Sequence, residues 1–119
     1  MHDENLKRLL QRFTVAAKAH NQALEEIDEE EANAHARIIA GLHAAIIRKG
    51  SAGQDGLLNL VDDKDPVVAG MAAVFSLRYN SERSLTALRL IARQPGLLGF
   101  RASVAIERWE AGELNVGDE

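Results

Sequence analysis

The stretch Asp65-Pro66-Val67-Val68 decides the fold, because it predicts the joint between two helices of a repeating unit. Asp65 suits the N-cap position, and Pro66 suits the first helical position, where its missing N–H costs nothing. The surrounding pattern recurs at an offset of 30 residues, which aligns Leu58 with Leu88, Leu60 with Leu90, Val61 with Ile91, Val67-Val68 with Leu97-Leu98, Ala72 with Ala102, Val74 with Val104, Arg78 with Arg108 and Tyr79 with Trp109. A fixed period of helix–turn–helix units predicts a stacked α-solenoid.

Helical periodicity extends over the whole chain and predicts six helices in three antiparallel hairpins, with no strand. The first helix follows Asp3, the second follows an acidic run and ends at Lys49-Gly50, and residues 50–56 form a flexible linker. The third helix is predicted over residues 54–62 and the fourth over residues 66–79. After a break at Asn80-Ser81, Ser81 caps the fifth helix, and the turn Gln94-Pro95-Gly96 leads to the last helix, which runs from Leu97 to the stop at Gly112. Residues 113–119 are a frayed tail.

Apolar spacing predicts which sides of the first two helices face inward. In the first helix this face carries Leu6, Leu9, Leu10, Phe13, Ala17, His20, Leu24 and Ile27. In the second it carries His35, Ile38, Ile39, Leu42, Ile46 and Ile47, and it leaves His43 outside. Folding back near Ile27-Asp28 would place residues whose numbers sum to 55 opposite each other, including His20 and His35.

The segment from Leu57 to Leu77 resembles a HEAT-type repeat, in which the second helix opens with Asp-Pro, an apolar residue and then a small-residue pair. The whole chain resembles a family of short all-helical bacterial proteins of unknown function, in which a long helical hairpin precedes two such repeats. The resemblance implies a short HEAT-like α-α superhelix: a single domain with a hairpin over residues 1–50, two repeats over 51–112 and a tail over 113–119. It transfers packing motifs and no catalytic residue. Two departures are Ala69, where HEAT repeats often place Arg, and the glycines Gly96 and Gly99 in the last repeat.

Composition limits the classes of function. The chain has 119 residues, a formal charge of −4 and no cysteine, so thiolate chemistry and disulfides are excluded. A net negative charge gives no overall attraction to nucleic acid or to an anionic membrane. The N-terminus lacks the basic start and apolar run of a signal peptide, and no segment has the length of a membrane span, so a soluble cytoplasmic protein is expected.

Two clusters in the N-terminal half carry alternative interpretations. His20 and His35 with Glu31, four residues before His35, could hold a divalent metal or titrate together, or the histidines could be ordinary interface residues. Neither His43 nor His2, which lies in the frayed terminus, is given a role. The acidic run Glu25, Glu26, Asp28, Glu29, Glu30 and Glu31 could dock a cation or a basic partner, but negative charge is also favoured at the start of a helix.

The C-terminal half is locally basic. Six arginines stand against the two acids Glu82 and Glu107: Arg78, Arg83, Arg89, Arg93, Arg101 and Arg108. This patch could contact phosphates, but a solvated helix face or a site for an acidic protein fits an acidic chain better. Tyr79 and Trp109 end equivalent helices of the two repeats, where they either cap the core or anchor an interface.

No Ser-His-Asp order, phosphate-binding glycine loop or paired buried carboxylate is readable in the chain, so neither an enzyme nor a cofactor is expected. The pattern favours a module that binds a protein partner through the last two hairpins, using Arg78, Tyr79, Arg89, Arg93, Arg101, Arg108 and Trp109. The partner could be a toxin, with this chain as its immunity protein, or the module could be a regulatory or assembly factor. An exposed solenoid end could also support self-association. Nucleic-acid binding by the arginines and a metal- or pH-responsive role for His20 and His35 are the alternatives.

Overall fold

The computed structural model describes residues 3–114, which fold into six α-helices and contain no strand. The helices are α1 (Glu4–Glu25), α2 (Glu29–Ile47), α3 (Ser51–Asn59), α4 (Pro66–Ser76), α5 (Ser81–Ala92) and α6 (Gly96–Glu110), with one 3₁₀ turn at Leu60–Asp62 after α3. The predicted all-helical class is therefore confirmed. The chain divides into two compact units, an N-terminal unit that ends at Leu57 and a C-terminal unit that begins at Leu58, so the boundary lies inside α3.

The N-terminal unit is built on the packing of α1 against α2. Asp3 caps α1 as predicted, because its Oδ1 accepts the backbone N–H of Leu6 at 3.0 Å. The other carboxylate oxygen of Asp3 forms an ion pair with Lys49 Nζ at 3.2 Å, beyond the end of α2. The Leu6 N–H bond and then the Lys49 ammonium lower the pKa of Asp3 from its ordinary value. The start of α1 is thus tied to the segment that follows α2.

The end of α1 is closed by Ile27 in a left-handed conformation. Asp28 N donates to Ala23 O at 2.8 Å and Ile27 N donates to Leu24 O at 3.1 Å, a closure in which the chain must adopt positive φ. Ile27 has φ +56° and is 90% exposed, so its predicted place on the inner face is wrong. The strain of a β-branched side chain in this conformation is offset by the satisfied helix-end carbonyls.

The glycine-rich segment after α2 is ordered, and the prediction of a flexible linker over residues 50–56 is wrong. Gly50 has φ +73°, which turns the chain, and α3 starts at Ser51 rather than at Gln54. Gly53 is buried, and a Cβ placed there would lie 1.9 Å from the carbonyl oxygen of Ile46. The glycines allow α3 to approach the end of α2 more closely than any side chain would permit.

In the C-terminal unit, α4 packs against α5 and α5 against α6. The predicted cap of α4 is confirmed, because Asp65 Oδ1 accepts the N–H of Val67 at 2.9 Å and Pro66 is the first helical residue. Two predicted bounds are wrong: α4 ends at Ser76 rather than near Tyr79, and α5 is capped by Asn80 rather than by Ser81. The Asn80 side chain accepts the N–H of Arg83 at 3.2 Å, and an amide at that position is as good a cap as a hydroxyl.

The last helix starts with Gly96 at φ +86° and ends with the closure at Gly112, φ +73°, which the sequence predicted as its stop. Gly99 is buried, and a Cβ there would lie 1.8 Å from the carbonyl oxygen of Gln94. The predicted tail over residues 113–119 lies outside the described residues from position 115 onward.

The inner face of α2 differs from the predicted one. His43 is only 4% exposed and belongs to the buried stripe with Ala32, Ile39 and Ile46, whereas Ile38 is 51% exposed. Apolar residues occur on more than one side of α2, so the spacing alone did not identify the side that packs against α1. The placement of His43 outside the core was therefore wrong.

Candidate functional site

An apolar groove crosses the C-terminal unit, and α4 forms one of its walls. Val67, Gly70, Met71 and Val74 follow the spacing i, i+3, i+4, i+7, so they share one side of α4. The opposite side of the same helix carries Ala69 and Ala72, which are buried. Because Gly70 has no side chain, the middle of this wall is low.

The other parts of the groove come from α5 and α6, and the groove encloses about 350 Å³. Leu88 and Ile91 of α5 are buried residues of the core that the groove reaches. The α6 side is formed by Leu98, Ala102, Val104 and Ala105, and Leu114 completes the lining after the helix. We call this surface the α4–α6 groove. Its lining is predominantly apolar.

One aromatic residue and two arginines give the α4–α6 groove its chemistry. Phe100 is 65% exposed although it is large and apolar. Arg101 and Arg108 lie seven residues apart, two turns along the same side of α6, and both line the groove. Arg108 is exposed and forms no ion pair with a residue between positions 3 and 114. The groove therefore combines an apolar floor with positive charge and an exposed ring.

The structure brings together two of the seven predicted partner-binding residues, Arg101 and Arg108, in this groove. The other five do not line it: Arg78, Tyr79, Arg89, Arg93 and Trp109. Arg78, Arg89 and Arg93 are exposed, and Tyr79 and Trp109 are half-buried. Arg89 Nη2 lies 3.6 Å from Glu110 Oε2, so its charge is compensated within the unit.

Sequence reasoning missed Phe100, together with the α4 wall of the groove. The signal was present, because Leu97, Phe100 and Val104 share one side of α6 by their spacing. Leu98, Ala102 and Ala105 share another side, so apolar residues occupy more of this helix than one inward stripe. An apolar set that spreads around a helix predicts either complete burial or an exposed apolar face. The repeat alignment matched Leu97-Leu98 and Val104 to residues of the preceding repeat and gave no place to Phe100.

Within the histidine cluster of the N-terminal unit, one contact is that between His35 and Glu31. His35 Nε2 lies 3.4 Å from Glu31 Oε1 on α2, as their spacing predicts, and His35 and His20 are both half-buried. Within residues 3–114, no three His, Asp or Glu side chains are grouped so that they could hold a metal ion. His2 lies outside the described residues.

The acidic run occupies the turn between α1 and α2. Asp28 Oδ1 accepts the N–H of Glu31 at 3.1 Å as the N-cap of α2, and Glu29, Glu30 and Glu31 form its first turn. Negative charge there stabilises the partial positive charge of the helix start by about 0.3–1 kcal/mol per group. The start of α2 therefore accounts for the positions of Asp28, Glu29, Glu30 and Glu31, whereas Glu25 and Glu26 lie at the C-terminal end of α1.

A second apolar surface lies on the N-terminal unit, between α1 and α2. Val15, Ala19, Ile38 and Leu42 form its centre, and Arg8, Arg12 and His35 also line it. Val15 is 67% exposed. Sequence analysis did not anticipate this surface either, because it assigned Ile38 to the core.

The chain matches none of the protein-family models, curated proteins or solved structures with which it was compared. Over residues 3–114, every helix is too short or too polar to cross a membrane. The lining residues and charges of each surface are consequently the basis for a functional proposal.

Proposed function

We propose that this chain is a small HEAT-like module that binds a protein partner through the α4–α6 groove, without catalysis. Support for the HEAT-like arrangement comes from the helix starts. Helices α3 and α5 start at Ser51 and Ser81, and α4 and α6 start at Pro66 and Gly96, so both pairs are offset by 30 residues. Equivalent residues are also buried alike, as Val61 with Ile91 and Ala72 with Ala102.

The observation that carries the binding proposal is the exposed Phe100 beside an apolar groove that contains Arg101 and Arg108. Exposure of apolar surface costs free energy in water, about 25 cal/mol per Å², and a partner that covers it recovers that cost. Aromatic residues and arginine are also the residue types enriched at interface hot spots. The occupant that fits is a helix or extended segment with large apolar side chains flanked by carboxylates.

A protein partner is favoured over nucleic acid because part of the positive charge is already compensated. Arg89 is paired with Glu110, and the guanidinium of Arg83 is paired with the carboxylate of Asp62. Phosphate binding depends on several uncompensated cations, each of which releases counterions. An apolar groove also offers little to a phosphate backbone, whereas it suits apolar side chains.

The test is affinity capture of the tagged protein from a lysate of its source cell, with mass spectrometry of the proteins that co-elute. We expect a stoichiometric protein with wild type and its loss with the triple variant Phe100→Ser, Arg101→Glu, Arg108→Glu. The matched control is Leu90→Ser with Arg93→Glu, which changes an exposed apolar residue and an exposed arginine that the groove does not include. Circular dichroism would establish that both variants fold.

Equal recovery of the partner with the groove variant and with wild type would overturn this site. The captured protein, once purified, should bind wild type with an affinity that falls as salt is raised, because Arg101 and Arg108 contribute attraction that salt screens. Binding of duplex or single-stranded DNA or RNA at low salt, lost in the groove variant, would instead establish the nucleic-acid alternative.

A further inference from the structure

We propose that a second copy of this chain binds to one face of the α1–α2 pair, with a twofold axis relating the two copies. This α1–α2 face has three parts: a basic end (Arg8, Arg12), an apolar middle (Val15, Ala19, Ile38, Leu42) and an acidic end (Glu26, Glu31). It belongs to the N-terminal unit and shares no residue with the α4–α6 groove, so it stands independently of the proposed function.

Val15 and Ile38 of the apolar middle are exposed, and Ala19 and Leu42 are half-buried. The residues of the apolar middle line a shallow pocket with a volume of about 430 Å³. The side chains of Val15 and Ile38 extend from it into solvent. Both are β-branched and stiff, so their burial loses little side-chain entropy. Two such surfaces brought together would bury four of these side chains.

The basic end lies on the same side of α1 as the apolar middle. Arg8, Arg12, Val15 and Ala19 follow one another at steps of four, three and four residues, which keeps them on one helical face. Arg8 and Arg12 are exposed, and neither forms an ion pair with any residue that the structure describes. Their charges are therefore available to an acidic group outside the unit.

The acidic end continues the same face in the opposite direction. Glu26 follows Arg8 by 18 residues, which is five helical turns, so the two point to the same side. Gln22 Nε2 donates to Glu26 Oε2 at 2.7 Å and orients this carboxylate. On α2, Glu31 precedes Ile38 by seven residues, which places it on the same side as the apolar middle.

The order of charges makes the face self-complementary. A rotation by 180° about an axis through the apolar middle places the basic end of each copy on the acidic end of the other, with apolar surface against apolar surface. The separation of Arg8 from Glu26 along the helix, about 27 Å, is the same in both copies, so both charged contacts form together. Such an interface is closed and stops at the dimer. An acidic peptide would satisfy only the basic end.

Charge reversal tests the pairing directly. The variant Arg8→Glu, Arg12→Glu has two acidic ends, and the variant Glu26→Arg, Glu31→Arg has two basic ends. We expect wild type to sediment with twice the chain mass of 13.0 kDa at about 0.1 mM protein and low salt, and each variant to sediment as a monomer. An equimolar mixture of the two variants should restore the dimer, because each supplies the charge that the other lacks.

The apolar contribution is tested by Val15→Asp with Ile38→Asp, which should abolish the dimer. The matched control Ala44→Asp changes an exposed residue on the opposite side of α2 and should leave it intact. The matched control for charge reversal is Arg37→Glu. Arg37 is exposed and lies away from the α1–α2 face, so this variant should dimerise like wild type. Circular dichroism of every variant would separate a lost interface from a lost fold.

A wild-type monomer under these conditions would overturn the proposal. It would also be overturned if a dimer persisted in Arg8→Glu, Arg12→Glu, or if the mixture of folded variants remained monomeric. None of these outcomes bears on the α4–α6 groove, whose variants lie in the C-terminal unit.

Discussion

Helices α3 and α4 begin in two different ways, and the difference shows how this chain makes a tight joint. Before α4, the side chain of Asp65 accepts the N–H of Val67, so the helix start is stabilised by an N-cap that can be recognised in the sequence. Before α3, the residue in the corresponding position is Gly50, which has no side chain. Instead Gly50 turns the chain at positive φ, and Gly53 lies against the carbonyl oxygen of Ile46.

The glycine joint occurs a second time, before α6. Gly96 has positive φ, and Gly99 lies against the carbonyl oxygen of Gln94, so Gly-x-x-Gly marks a close approach in both places. Glycine composition is typical of flexible linkers, and the same residues also permit the closest packing of backbone on backbone. Whether such glycines form a flexible linker or a close backbone contact depends on the position of the neighbouring helix end.

The largest expected loss of stability comes from adding a side chain at the two glycines that contact a backbone carbonyl. Gly53→Ala and Gly99→Ala each place a Cβ less than 2 Å from a backbone oxygen, which cannot move as a side-chain tip can. We expect each to lower the free energy of unfolding by about 3 kcal/mol or more, measured by urea denaturation. The control is Gly41→Ala in α2, where nothing lies within 4 Å.

Gly41→Ala should raise the free energy of unfolding by about 0.5–1 kcal/mol, because alanine is the better helix former. A similar loss of stability in all three variants would mean that glycine itself, rather than the close approach, matters. Unchanged stability in Gly53→Ala would mean that the joint before α3 is a flexible linker after all.

The start of α4, which Asp65 caps, should be less sensitive to substitution than the glycine joints. Asp65→Ala removes the acceptor for Val67 N–H, and we expect a loss of about 1 kcal/mol in the free energy of unfolding. Asp65→Asn retains an acceptor oxygen and should lose at most a few tenths of that amount. A loss in Asp65→Ala as large as in Gly53→Ala would remove the distinction between the two joints.

Positive φ offers a reciprocal pair of substitutions, with smaller effects. Gly50→Ala puts a side chain where φ is +73°, whereas Ile27→Gly removes one where φ is +56°. We expect a loss of about 0.5–1 kcal/mol for the first and a gain of similar size for the second. Thermal melting monitored by circular dichroism would show the opposite signs, and shifts of the same sign would contradict the assigned conformations.

The smallest effect concerns the acidic cap of α1. Because the pKa of Asp3 is lowered in the folded state, its contribution to stability is present above its ordinary value of 3.8 and is lost as pH falls through the lowered value. Wild type should therefore lose stability over this acidic interval more steeply than Asp3→Asn, which no longer titrates there. Identical pH profiles in denaturant titrations would show that the Leu6 and Lys49 contacts do not favour the charged form.

The candidate site was predictable in part. Arg101 and Arg108 were among the proposed binding residues because the segment from Arg78 to Arg108 is rich in arginine, but the groove that unites them with Phe100 was not predicted. A groove is defined by the surfaces of several helices, so residues on α4 that look like core in the sequence become its wall. The charge compensation of Arg89 by Glu110 was equally hidden, since the two residues lie on different helices.

The sequence by itself determined what depends on near neighbours in the chain: the all-helical class, the caps at Asp3 and Asp65, and the 30-residue offset between helix starts. These follow from hydrogen bonds and side-chain spacing within one or two turns. Only the tertiary structure decided that His43 is buried while Val15, Ile38 and Phe100 are exposed. The side of a helix that packs inward depends on the total surface buried against its neighbours, and that sum is fixed only when the helices meet.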